Sequence, residues 1–192
     1  PAGFRLQRMD AALAEGAGAL ASWASLEDFL THGIGFALLH GAEVFITSSS
    51  DEKLARAREL GASHAINYKQ TPEWGDAVRR LTGGRGVDHV VELGGAGTFN
   101  RSVAALRRGG RMSLIGVLAQ GGEANILSVL MNSIRVQGLF VGSREVFASM
   151  NAAIALHRLR PVIYRTFGFG EVSDAVRLME SGQHFGKICI RM

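Results

Sequence analysis

From residue 43 onward, apolar runs of strand length alternate with stretches of helical period. Glu43–Thr47 (EVFIT) is a short apolar run suited to a buried strand. Ser49 and Glu52 then stand at capping-box spacing, Leu54, Ala57 and Leu60 follow on one side, and Gly61 sits where a helix C-cap belongs. Ala65–Tyr68 (AINY) reads as the next strand. Thr71 before Pro72 predicts an N-cap with proline in the first turn. Trp74, Val78 and Leu81 line one helical face, and Gly83, Gly84 and Gly86 end that helix. Val87–Leu93 (VDHVVEL) is a third strand, and Phe99, Val103 and Leu106 mark a helix closed by Gly109 and Gly110. Arg111–Val117 and Arg135–Val141 are two further strands around a short helix from Ile126 to Asn132. After Val141 the rhythm changes. Val146, Met150 and Ile154 predict a longer helix, and Pro161 breaks the chain. A strand at Val162–Phe167, a helix around Val172, Val176 and Met179, and a last strand at Lys187–Arg191 follow.

Strands separated by helices imply right-handed β-α-β crossovers, hence an α/β protein whose mostly parallel sheet is flanked by helices. Such sheets take ligands at the carboxyl ends of their strands, where the winding reverses. The expected organisation is an irregular segment over 1–40, the alternating domain over 41–158, and a β-α-β tail over 159–192.

Composition narrows the class. The chain has 192 residues, 47% hydrophobic and 20% charged, with 25 glycines and 3 prolines, which fits a globular protein rich in tight turns. A formal charge of +4 and a pI near 9.8 favour phosphate-bearing partners. The arginines are spread without long like-charge runs, so nucleic acid is not an expected partner. Cys189 is the single cysteine, so no intramolecular disulfide forms. That suits a reducing cytosol, and a cytoplasmic location is expected. Cys189 itself reads as a buried strand residue. No stretch approaches the roughly 20 consecutive apolar residues of a membrane helix. Arg5 and Arg8 precede an alanine-rich stretch, but Asp10 and Glu15 interrupt it, which speaks against a secretory leader.

A dinucleotide site needs a strand, a glycine-rich turn, and a helix whose first amides face the pyrophosphate. The candidate turn is Gly33-Ile34-Gly35. The third small position of GxGxxG falls on Leu38, and Phe29-Leu30-Thr31-His32 is short and polar for a buried first strand. Only about six residues separate Gly35 from the turn at Gly41-Ala42, where a crossover helix needs about ten or more. Gly33 and Gly35 therefore read either as a damaged phosphate loop or as ordinary turn glycines. A second cluster, Gly94-Gly95-Ala96-Gly97, lies between a predicted strand and a helix, where it either brings backbone close to a nucleotide or serves conformation alone.

The segments HGAEVFITSSSDEKLARARELGASHAINY, GGRGVDHVVELGGAGT, LRRGGRMSLIGVL, RVQGLFVGSRE and ESGQHFGKICI follow one another from about Gly41 onward. In that order they resemble the medium-chain dehydrogenase/reductase superfamily, in its zinc-type alcohol dehydrogenase and quinone reductase-like branches. The resemblance implies a Rossmann-type cofactor domain. Residues 11–26, with Ala19-Leu20-Ala21-Ser22-Trp23, resemble the family's segment before its first Rossmann strand. That strand and most of the glycine loop are then truncated between about Leu30 and Phe36, with a further helical turn missing before Gly41. The GroES-like domain that supplies this family's catalytic zinc ligands, proton relay and much of its substrate pocket has no counterpart here. The six histidines show no metal-ligand spacing. No catalytic residue is therefore named, and no zinc is expected in this chain.

An NAD site usually ends its second strand with Asp or Glu on the ribose hydroxyls. Here that strand ends in Thr47-Ser48-Ser49-Ser50, whose hydroxyls donate to a phosphate without a carboxylate's repulsion. The resemblance to NADPH-using quinone reductases puts Ser48, Ser49, Lys53 and Tyr68 around a 2′-phosphate. The expected cofactor is NADP, with NAD the alternative, because Asp51 and Glu52 sit nearby. On family grounds alone, Ile115-Gly116-Val117 and Phe140-Val141 line the nicotinamide and Lys187 reaches the cofactor. The bland readings are a capping Ser49, a solvated Lys53 and core strand ends.

Two functions follow. One is an NAD(P)-dependent oxidoreductase that moves a hydride between a nicotinamide dinucleotide and a small alcohol, aldehyde or quinone-type substrate. The other is a non-catalytic Rossmann-like remnant that folds or self-associates without cofactor turnover. The family resemblance implies a possible homodimer through the strand near Arg135–Val141, where an exposed edge would also invite pairing.

Overall fold

The computed structural model describes residues 26–118 and 121–192. The expectations for Arg5 to Glu15, and for residues 11–26 apart from the last, lie outside the described residues.

The first described element is α1 (Leu26–Leu39), a 14-residue helix. It closes on Gly41 at φ 70°, with Gly41 N–H donating to Leu38 C=O and Ala42 N–H donating to Ala37 C=O. That bond pair is a Schellman cap. Strand β1 (Phe45–Ser48) follows, then α2 (Asp51–Glu59) and β2 (His64–Asn67). The cap of α2 is Ser50 and not the expected Ser49. The helix starts at Asp51, so the third helical amide belongs to Lys53, and Ser50 Oγ accepts from it at 3.3 Å.

Helix α3 (Trp74–Leu81) likewise starts later than Thr71-Pro72 suggested, with Glu73 at the N-cap and no side-chain cap bond. Asn67 explains the delay. Its Oδ1 accepts from Lys69 N–H and its carbonyl from Thr71 N–H, so the chain turns before it can wind.

Strand β3 (Val87–Glu92), α4 (Ala96–Ala105) and β4 (Leu106–Leu114) run on without a loop between the last two. Gly109 and Gly110 thus lie inside β4 and do not close a helix. Val87 pairs with Leu106 and His89 with Arg111, so β4 carries extra residues opposite Asp88. This bulge is held by Arg107 Nε on Asp88 Oδ1 at 2.5 Å and by Gly109 N–H on Asn132 C=O at 2.9 Å. Then come α5 (Ile126–Met131), β5 (Arg135–Gly138), α6 (Arg144–His157), β6 (Ile163–Gly168), a 3-10 turn at Phe169–Glu171, α7 (Val172–Ser181) and β7 (Lys187–Arg191).

The strands form three separate sheets, β1-β2, β3-β4-β5 and β6-β7. Strands β3, β4 and β5 are mutually parallel, as are β6 and β7. Bonds from His64 N–H to Val44 C=O and from Tyr68 N–H to Ser48 C=O run β1 and β2 in one direction too. The α/β, parallel-sheet class expected from the alternation is what the chain forms.

Two compact units result. One gathers the described residues up to Ile46 with Ala55–His64 and Gly142–Met192. In it Ile34, Met150, Phe167 and Phe185 are buried, and the Arg56 guanidinium sits 5.6 Å over the Phe185 ring. Cys189, expected to be buried on β7, is only half-buried. The other unit holds Thr47–Leu54 and Ala65–Val141. Its core is Phe99, Val103, Leu106, Met112 and Ile134, with Val87, Val90 and Val129 packed against them. Leu106 and Met112 are completely buried, so the junction of α4 with β4 is the tightest point of this unit.

Candidate functional site

Three parallel strands of the second unit end side by side, which is where an open α/β sheet receives a ligand. After β3, Leu93-Gly94-Gly95 turns into α4. After β4, Ile115 and Gly116 N–H both donate to Glu92 C=O, at 2.9 and 3.3 Å, and Leu118 N–H donates to Leu93 C=O at 3.1 Å. After β5, Leu139 N–H donates to Leu114 C=O at 2.9 Å. The expected residues Gly94, Gly95, Ile115, Gly116, Val117, Phe140 and Val141 therefore share one edge. Val117 is 79% exposed and Phe140 88%, so this edge presents apolar surface to solvent.

Gly95 is held at φ 80°, and a Cβ there would lie 2.9 Å from Val117 Cα. Only glycine combines that backbone with so close a neighbour. The neighbouring carboxylate is Glu92, 2% exposed and at the last position of β3. Its Oε1 accepts from Gly94 N–H at 2.7 Å, Gly95 N–H at 2.9 Å and Thr98 Oγ1 at 2.5 Å, and its Oε2 accepts from Ser102 Oγ. Sequence reading passed over Glu92. The available signal was an acid at the end of an otherwise apolar run, followed by two glycines and then by hydroxyls one and two helical turns later.

A second group of expected residues gathers at the ends of β1 and β2. Tyr68 N–H donates to Ser48 C=O at 3.1 Å, which sets those residues abreast, and Tyr68 is 44% exposed. Ser48 Oγ accepts from Ser50 N–H at 3.3 Å, while Ser49 and Lys53 are half-buried at the start of α2. Asp51, at the start of α2 with Glu52, accepts from Asn67 Nδ2 at 2.8 Å and from Gln70 Nε2 at 3.0 Å, so each of its oxygens carries an amide donor.

Gly33 and Gly35 are placed otherwise than expected. Both lie inside α1, in continuous helix and not in a strand-to-helix turn. Leu30, Ile34 and Leu38 fall at helical spacing, and Ile34 is buried to 3%. That pattern outweighs the cost of two internal glycines, about 1 kcal/mol each relative to alanine. Lys187 opens β7, its N–H on Val162 C=O at 2.7 Å, in the other compact unit.

An open groove of about 340 Å³ lies on the helical side of the second unit. Its Arg79 is spent on backbone carbonyls of Gly84, Ala104 and Leu106, and its Asn100 ties Glu123 and Asn125. It reads as a structural seam. Among the described residues no cluster of His, Cys, Asp or Glu side chains is arranged to hold a metal. His64 is occupied by Glu43 at 2.7 Å and His89 by Ser113 at 2.9 Å. Among the described residues the donors present do not fit a catalytic zinc, and no helix is long and apolar enough to cross a membrane.

Residues 31–156 match the family model described as zinc-binding dehydrogenase. The chain belongs to that family. It is 40% identical over 167 residues to the zinc-type alcohol dehydrogenase-like protein C1773.06c of Schizosaccharomyces pombe (strain 972 / ATCC 24843), covering 84% of this chain and 48% of that one. It is 31% identical over 168 residues to a 2-haloacrylate reductase of a Burkholderia species, covering 78% and 48%. A solved NAD-dependent alcohol dehydrogenase superposes with a TM-score of 0.76 at 31% identity, covering 84% of this chain and 47% of that one. The expected superfamily is thus confirmed, and with it a nicotinamide-cofactor fold. The chain spans about half the length of the curated relatives it matches.

Tested against a dinucleotide, the described residues fit in part. The Gly95 cradle beside Val117 and the hydroxyl-rich end of β1 are formed, whereas no glycine turn is formed at Gly33–Gly35.

Proposed function

We propose that this chain is the cofactor-binding part of an oxidoreductase that moves a hydride between NADP and a small alcohol, aldehyde or quinone-type substrate. The observation that carries this reading is the shared carboxyl edge of β3, β4 and β5, with Gly95 against Val117, in a chain of the zinc-binding dehydrogenase family. Bound there, the nicotinamide supplies or accepts the hydride. The role of Gly94, Gly95, Ile115, Gly116, Val117, Phe140 and Val141 is to orient the ring and shield one face from water. Ser48, Ser49, Lys53 and Tyr68 are assigned to the 2′-phosphate. Support comes from the lack of an acid at the end of β1 and from the amide donors on Asp51, which damp its repulsion of a phosphate. NAD is the weaker alternative. Zinc ligands, proton relay and substrate pocket are assigned to no residue of this chain, and a cytoplasmic location is kept as part of the proposal.

A homodimer is the proposed assembly. Strand β5 pairs with β4 on one side, and Val136, Ile126, Leu130 and Phe140 beside it are exposed.

One observation favours a second reading. Gly33 and Gly35 lie inside helix α1 and not in a strand-to-helix turn, which suits a non-catalytic remnant. Titration with NADPH and separately with NADH, followed by nicotinamide fluorescence, decides. Micromolar NADPH binding with NADH much weaker supports the NADP site. Binding of neither by a folded protein overturns the cofactor assignments and leaves the remnant.

A further inference from the structure

Helix N-termini attract anions, because their first amides carry partial positive charge and lack intrahelical partners. In a nucleotide-binding protein, a glycine turn leading into a helix is therefore the first place to seat a phosphate. In the turn that leads into α4, the two glycine amides just ahead of the helix are already taken. The Glu92 carboxylate accepts from the amides of Gly94 and Gly95 and from the hydroxyls of Thr98 and Ser102, and the residue is 2% exposed. With four donors on its two oxygens, the side chain is fully partnered. A second anion at the same turn would meet a buried carboxylate of like charge. The same residue's backbone carbonyl holds Ile115 and Gly116, so Glu92 ties both loops that form the edge.

Resting on the dinucleotide reading above, we propose that Glu92 is a positioning residue. It fixes the Gly94–Gly95 turn ahead of α4 and sets a carboxylate beside it, so that the turn receives the uncharged nicotinamide-riboside end of the cofactor and no phosphate. Three properties follow. The turn is rigid before any ligand arrives, Val117 stays packed on Gly95, and the phosphates of the dinucleotide bind elsewhere.

The test compares the wild type with E92L and E92Q. Leucine removes every acceptor. Glutamine keeps Oε1 for the two glycine amides and Thr98, and Ser102 reverses its hydroxyl to accept from the new amide. Two ligands are titrated: NADPH, and adenosine 2′,5′-bisphosphate, which carries the adenine end without the nicotinamide. In E92L the NADPH affinity falls by about tenfold or more, the size expected when charge-assisted bonds are lost. The bisphosphate affinity stays within about twofold, as expected when only the nicotinamide end is disturbed, and E92Q restores NADPH binding. Hydrogen exchange at Gly94 and Gly95 accelerates in E92L with no ligand present. Should E92L fail to fold, a T98V/S102A variant releases two of the four donors and weakens NADPH alone by a smaller factor. Equal weakening of both ligands, or unchanged NADPH binding in E92L, overturns the role of Glu92 and leaves the cofactor reading standing. A wild type that binds NADPH nowhere overturns both.

Discussion

Gly84 and Gly86 share a backbone angle and differ in surroundings, which makes them a matched pair. Both sit at φ 87° in the turn that leads from α3 into β3. A Cβ on Gly84 meets nothing within 4 Å, so G84A costs only the left-handed conformation, about 1–2 kcal/mol for an L-residue. A Cβ on Gly86 would lie 2.7 Å from Ala105 O, Arg107 N and Leu106 C, all backbone, at the most deeply buried junction of the second unit. That overlap adds about 1–3 kcal/mol, because backbone on both sides cannot swing away. G86A should therefore be less stable than G84A by about 1–3 kcal/mol, or around 1 M in urea midpoint. Trp23 and Trp74 are the chain's two tryptophans, so a W23F background leaves Trp74, at the start of α3, as a reporter local to this turn. Urea unfolding followed by Trp74 fluorescence gives both midpoints under one probe. Equal midpoints for the two variants would refute the close approach of Gly86 to the α4-β4 junction.

Three further outcomes are expected. Burial pushes the Asp88 carboxyl up, but hydrogen bonds and charge from Arg85 and Arg107 outweigh it and hold it below the ordinary 3.8. A folded value below the unfolded one gives stability that is present above about pH 4 and lost as pH falls through the folded value, so D88N flattens the acid limb of a thermal-melt series and lowers the melt at neutral pH. Arg79 donates to Leu106 C=O at 2.6 Å, Ala104 C=O at 3.1 Å and Gly84 C=O at 3.2 Å, so R79M strands acceptors and costs about 1–3 kcal/mol in denaturant unfolding. V136K, on the exposed face of β5, leaves the fold intact and shifts sedimentation toward monomer; an unchanged dimer would place the contact elsewhere.

Much of the fold was legible because several strands after residue 43 contain a short apolar run, and most helices carry periodic apolar positions. The last strand, Lys187–Arg191, matched residue for residue. The errors come from individual hydrogen bonds, some local and some long-range, that act against the pattern. Asn67 delays α3 by bonding its own neighbours, and Ser50 takes the cap because the helix starts one residue later than the capping-box spacing implied. Gly109 and Gly110 look like a helix stop but sit in a bulge that Asp88, Arg107 and Asn132 hold open across the sheet. Those partners are distant in sequence, so no local signal reveals them. At the site, glycine clusters and strand ends were readable. Glu92 was passed over, since the two glycines and the hydroxyls of Thr98 and Ser102 gather on it only once α4 is laid beside β3.

The largest difference lies where a first strand was needed. In the doubly wound order 3-2-1-4-5-6, the first strand is central and joins the second to the fourth. Here, among the described residues, Gly33 and Gly35 lie inside α1, and β1-β2 and β3-β4-β5 are separate sheets. The strand and the phosphate turn are one feature in this fold, because the turn is the strand's own exit into its helix. The residues assigned to the 2′-phosphate and those assigned to the nicotinamide sit in the same compact unit. Among the described residues, Gly33 and Gly35 form no such turn to grip a pyrophosphate. A dinucleotide held only by its two ends gains from linkage only as far as the span between the ends is fixed. Fragment affinities for the adenine and nicotinamide halves therefore measure more directly than the whole cofactor what this chain has kept.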